Sequence, residues 1–182
     1  DRYGIKAETT VSERTGMLRF VYPQNSDARV IFNFSRRIAG HADEQAVTVD
    51  GRKIEGEIIC TPAGGGFGRG HGGIGYKLYF SLEVSKDFEY KFFENEEFLE
   101  NDQGNVNGKD LHLLATFKAE ENEQVLIRCG ISYVDLEGAR NNLRTECPNF
   151  DFEEIYKKAD EAWERALDIA TVEGENETDL TL

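Results

Sequence analysis

Apolar and polar residues alternate along most of the first 133 positions, the two-residue period of strands with one buried face. The pattern predicts strands over 5–11, 17–22, 30–34, 76–84, 88–93, 111–117 and 124–133. Segments 46–50 and 53–59 read as a hairpin around Asp50-Gly51, a pair that tolerates the positive φ of a two-residue turn. Short strands at this spacing, with no intervening helices, predict a mainly β fold, an antiparallel β-sandwich. No fixed-period repeat is visible.

The period changes near the C-terminus. Leu136 to Glu146 predicts a short helix, and Asp151 to Ala170 a long one. Phe152, Ile155, Ala159, Trp163 and Leu167 recur at three and four, so this stripe is expected to pack on the sandwich. Asp151 with Glu154 three residues on has the form of a capping box. The expected organisation is a sandwich domain over 1–150, then a C-terminal helix and the start of a linker over 151–182.

The length of 182 residues suits one such unit. The net charge of -14 repels phosphate backbones, so nucleic acid is not an expected partner. No run approaches the ~18 apolar residues of a membrane span. Asp1 to Thr10 is polar and lacks the form of a signal peptide. Cys60, Cys129 and Cys147 are too few for a disulfide framework. Cys60 and Cys129 end apolar runs, which favours three buried thiols over one disulfide and a spare thiol.

Thr61 to Gly75 is the most unusual segment, with glycine at most positions from 64 onward. It lacks the Gly-Lys-Ser/Thr ending of a phosphate loop, and a strand follows where a dinucleotide fingerprint needs a helix. It reads either as a plain hairpin loop or as a loop projecting into a site. In the second case Phe67, Arg69 and His71 are the candidate substrate-binding residues: a ring to stack on a sugar, and two groups to bond hydroxyls. His41, His71 and His112 lack metal-ligand spacing, and no Gly-x-Ser-x-Gly occurs. The oxygen-rich stretch Asn101 to Asp110 does not fit a calcium loop and reads as a polar turn. No carboxylate has an apolar context that singles it out as a catalytic acid.

The C-terminal half carries a more specific pattern. Gly130-Ile131-Ser132-Tyr133-Val134-Asp135, then Glu137, Ala139 and Asn142-Leu143, is similar to the "GiSyvs-e-A--Nl" signature of glycoside hydrolase family 92. Glu146, Phe150-Asp151-Phe152, Ala159, Trp163, Leu167 and Ile169 to Gly174 continue in that family's register. Upstream, Tyr79-Phe80 with Val84 to Phe88 resembles its "YF…fskpF" strands, and Glu8 to Pro23 resembles its start. Asp87 replaces the usual proline, Glu164 the asparagine after the tryptophan, and the glycine-rich insertion is atypical.

The resemblance implies a supersandwich-like N-terminal domain that precedes an (α/α)6 catalytic barrel. It implies that the parent enzyme removes α-mannose from mannose-containing glycans with inversion, using calcium. In the family the two carboxylates and the calcium ligands belong to the barrel. No position here matches them, so no catalytic residue, metal ligand or cofactor is assigned to this chain, which is expected to be inactive alone. The family's glycan substrates imply a periplasmic or extracellular location. The competing reading is a free-standing carbohydrate-binding or surface-adhesion sandwich; an amphipathic helix leading into a linker favours the first.

Overall fold

The computed structural model describes residues 4–23, 25–37, 40–61, 75–100 and 104–168. Strands β1 (Lys6–Val11), β2 (Thr15–Tyr22), β6 (Glu44–Asp50), β7 (Lys53–Cys60), β8 (Tyr76–Val84), β11 (Asn105–Gly108) and β13 (Glu123–Ser132) form one sheet. Its order is β1-β2-β13-β8-β7-β6-β11. Strands β3 (Asn25–Asn33), β9 (Glu89–Glu94), β10 (Glu97–Phe98) and β12 (Leu111–Ala119) form a second sheet, ordered β10-β9-β12-β3. A small hairpin pairs β4 (Arg36–Arg37) with β5 (Gly40–His41). Every pairing is antiparallel.

Alternation sets which side chains meet between the sheets. In β12, Leu111, Leu113, Ala115 and Phe117 are buried, while His112, Leu114 and Thr116 turn outward. They join Phe92, Ile54, Phe80, Val125 and Ile127 in the main core. Each Leu, Ile, Val or Phe among them gains about 1.5–3 kcal/mol on leaving water. Gly56 is required where β7 pairs with β6: a Cβ there would lie 2.1 Å from the Ala46 carbonyl oxygen.

The outer face of the seven-stranded sheet is covered by α1 (Leu136–Glu146) and by part of α2 (Phe152–Leu167). Met17 on β2 meets Leu143, Cys147, Phe152 and Ile155 in a second, smaller core. The molecule is thus layered: four strands, seven strands, helices. All three cysteines are free thiols.

Several details differ from the sequence reading. The β6–β7 turn is centred on Gly51 and Arg52, because Asp50 pairs with Lys53. Only Gly51 has positive φ, as in turns that place glycine first. Part of the expected polar turn at 101–110 is β11, a strand so short and polar that no alternation marks it. Strands β4, β5 and β10 are two residues each, too short to carry a period.

The largest correction concerns α2. Phe152 and Ile155 are buried, but Trp163 and Leu167 are 64% and 66% exposed. At about 100° per residue, Trp163 lies only roughly 20° around the helix from Phe152. The apolar stripe is therefore continuous, as its period predicts. It is covered where the helix crosses β1 and β2, the strands it contacts most, and runs on past them.

Candidate functional site

Phe67, Arg69 and His71 lie outside the described residues. What is described is the pair of strand ends from which their segment departs. Cys60 at the end of β7 pairs with Tyr76 at the start of β8. Thr61, the next residue, is held from two sides. Its N–H donates to Asp43 Oδ2 at 2.6 Å, and its carbonyl accepts from Arg37 Nη2 at 2.6 Å. Burial pushes the Asp43 carboxyl up, but the Thr61 bonds and the nearby Arg37 outweigh it and leave the group below its usual range. Tyr76 shares hydrogen bonds with Cys60 and Arg37; the first of these, then burial, raises its phenol. Sequence reasoning missed Arg37 and Asp43, since three separate elements bring them to Thr61 and no local spacing marks them.

Tyr76 also packs edge-on against Tyr133, with centroids 5.8 Å apart and planes at 71°. Tyr133 is 67% exposed and Val134 79%. An apolar, aromatic patch therefore stands beside the root of the glycine-rich segment. Like the overhanging half of α2, it is a surface that water covers poorly and a partner would cover well.

The block Gly130 to Glu146 is a strand-to-helix junction. Gly130 lets α1 settle on β13: a Cβ there would lie 2.5 Å from the Ala139 carbonyl oxygen and 2.8 Å from Leu143 Cβ. Asp135 caps α1 by accepting from Gly138 N at 2.6 Å, and Ser132 Oγ accepts from Val134 N at 3.1 Å. Asn142 Nδ2 donates to the Ile131 carbonyl at 2.8 Å. Arg140 binds both oxygens of Glu55 at 3.0 and 2.6 Å. Glu146 accepts from Ser12 Oγ, Arg14 N and Arg14 Nε. These residues hold helices to the sheet; they do not surround a reacting atom.

Six of the described carboxylates are held in ion pairs or hydrogen bonds. Glu8, Asp43, Glu55, Glu123, Glu137 and Glu146 are all held below their ordinary values. Glu8 falls to about 2, through hydrogen bonds from Arg19 and then Lys6. A general acid for glycoside cleavage needs the opposite displacement. Among the described residues no three His, Cys, Asp or Glu side chains converge. Among them, too, no helix is long and apolar enough to cross a membrane.

Comparison with known proteins gives a consistent result. The family model for the glycosyl hydrolase family 92 N-terminal domain matches residues 1–132. An α-mannosidase of family GH92 from Bacteroides thetaiotaomicron superposes with a TM-score of 0.82 at 25% identity, over 96% of this chain and 23% of that one. A GH92 inverting mannosidase from the same organism superposes with a TM-score of 0.78 at 21% identity, over 95% of this chain and 22% of that one. The chain thus spans less than a quarter of the length of these solved structures. No curated protein matches it.

Proposed function

The chain belongs to the glycosyl hydrolase family 92 N-terminal domain family, and from that membership we propose that it is the accessory sandwich of a calcium-dependent, inverting exo-α-mannosidase. In this reading it packs on an (α/α)6 catalytic domain of the same protein. The parent enzyme trims mannose-containing glycans outside the cytoplasm. Calcium, when bound in the catalytic domain, holds the sugar's hydroxyls.

The observation that carries the reading is the uncovered half of the α2 stripe. Tyr156, Trp163 and Leu167 are large, apolar and exposed, and they continue a face that is buried one turn earlier. Such a stripe is costly to leave in water and favourable to cover. The solved relatives carry more than three quarters of their length beyond the part this chain matches, so a further domain is the natural cover.

The domain's own contribution is positional. Inversion needs an acid on the leaving oxygen and a base on water, about 6.5–9.5 Å apart. A neighbouring domain can exclude bulk water and shape the mouth of such a pocket. The glycine-rich segment, with Phe67, Arg69 and His71, is proposed to reach that mouth. The Arg37–Thr61–Asp43 clamp holds the residue that precedes the segment.

The test is hydrolysis of an aryl α-mannoside by the full-length protein. The expected outcome is turnover with a β-anomeric first product, lost on adding a chelator and absent from the 182-residue chain alone. An α-anomeric first product, chelator-resistant turnover, or turnover by the chain itself would overturn the reading.

A further inference from the structure

The outer face of the four-stranded sheet holds an open cleft of about 710 Å³ whose lining includes Ile31, Asn33, Arg36, Phe93, Glu96 and His112. Its floor is apolar and aromatic. Phe93 and His112 project from paired positions on β9 and β12 and stack at 4.7 Å, with planes 13° apart. Ile31 beside them is 59% exposed.

The walls are polar and of both signs. His112 Nδ1 lies 2.9 Å from the Asp110 carbonyl, which can only accept. In the neutral ring Nδ1 is therefore the donor and Nε2 is left as an acceptor. Arg36 and Glu96 are exposed, and neither side chain has a hydrogen-bond or ion-pair partner among the described residues. The Asn33 side-chain Oδ1 accepts from the Ser35 N–H and hydroxyl and from the Arg36 N–H, which fixes that amide in place.

The backbone at the rim is strained. Asn95 and Glu96 both have positive φ, 47° and 69°, in the turn between β9 and β10. Glycine is preferred at the second of these positions, and a glutamate there holds an unfavourable conformation. The pairing of β9 with β10 holds the turn in this form, and the Glu96 side chain itself touches no structural partner among the described residues.

We propose that this cleft binds a neutral pyranose of a mannose-containing glycan. The apolar floor receives the C–H face of the ring. Arg36 donates to hydroxyls, while Glu96 and His112 Nε2 accept from them. A phosphate or sulfate would meet the Glu96 carboxylate, and a cationic ligand would meet Arg36; an uncharged polyol suits both. Strand β4 links the cleft to the residue that precedes the glycine-rich segment. Arg36 lines the cleft, and Arg37, the next residue of β4, donates to Thr61. The assignment to mannose rests on the function proposed above.

The test is a titration of the 15N-labelled chain with methyl α-mannoside and with a mannose oligosaccharide. The expected result is shifts confined to amides near Ile31, Phe93, Glu96 and His112. Arg36→Ala and Glu96→Gly should each weaken association by about tenfold. Glu96→Gly also relieves the positive φ, so its melting temperature should be unchanged or higher, which separates lost binding from lost fold. Absence of shifts at these amides, or binding that neither variant weakens, would overturn the proposal. Hydrolysis of an aryl α-mannoside by the full-length protein reports separately on the parent activity, so the two readings fail independently.

Discussion

Phe152 and Trp163 share one face of helix α2, yet the first is 6% exposed and the second 64%. Arg19 of β2 lies over the Phe152 ring at 4.0 Å and also bonds Glu153, so the sandwich grips the first turn of the helix. Replacing Phe152 by Ala should cost about 3–5 kcal/mol of stability in the chain. Replacing Trp163 by Ala should cost under about 0.5 kcal/mol. Chemical denaturation of both variants checks this pair of values.

Trp163 is also the chain's single tryptophan. Its emission should be that of a water-exposed indole in the chain and should shift to the blue in the full-length protein. An identical spectrum in both would mean that no domain covers the stripe.

Gly130→Ala should destabilise the fold by about 1–3 kcal/mol, because the added methyl meets backbone and Leu143 on α1. The loss should appear in the melting temperature, with weakened hydrogen-exchange protection along α1. An Asp135→Ala change, which removes only the cap, should cost about 1 kcal/mol.

Acid should weaken the fold in a defined window. Glu8 titrates at about 2 in the folded chain, against an ordinary 4.5. Glu55 and Glu146 are displaced the same way, Glu55 chiefly by Arg140 and Glu146 by Ser12 and Arg14 against the upward push of burial. A depressed folded value favours the ionised form, so the contribution is complete above the unfolded value and fades as pH falls toward the folded one. Melting temperature should hold from neutrality to about pH 5 and then decline. Glu8→Gln should lower stability at neutrality and flatten the decline.

The thiols should be inert while the chain is folded. Burial, with Cys147 nearby, pushes Cys129 up to about 12 although its residue keeps some exposure, and burial also raises Cys147. Cys60 is buried at the end of β7. A thiol reagent at neutral pH should label none of the three before unfolding and all three afterwards.

Alternation made most of the strands legible, because each long strand has one face in the core, as Leu111 to Phe117 shows. The short pieces were not legible: Asn105–Gly108 owes its pairing to β6, not to its own composition. Amphipathicity revealed the stripe on α2 but not which half the sandwich covers, since period fixes direction around a helix and not the extent of its neighbour. The cleft was invisible for a different reason. Arg36, Phe93 and His112 come from three separate strands, and only the β9–β12 register and the β4–β5 hairpin bring them together. For Phe67, Arg69 and His71, the described structure gives the anchor points of their segment alone.

Strand β11 has a consequence for self-association. An open sheet edge offers a free ladder of N–H and C=O groups to any other strand. Asn105–Gly108 occupies that ladder on β6, covering the run that holds Val47, with four residues of which only Val106 is large and apolar. Its outer edge is thus too short and too polar to template another copy. At the opposite margin, β1 carries Lys6 and Glu8, charges that discourage pairing with another strand. Both margins of the seven-stranded sheet therefore resist edge-to-edge pairing with a second copy.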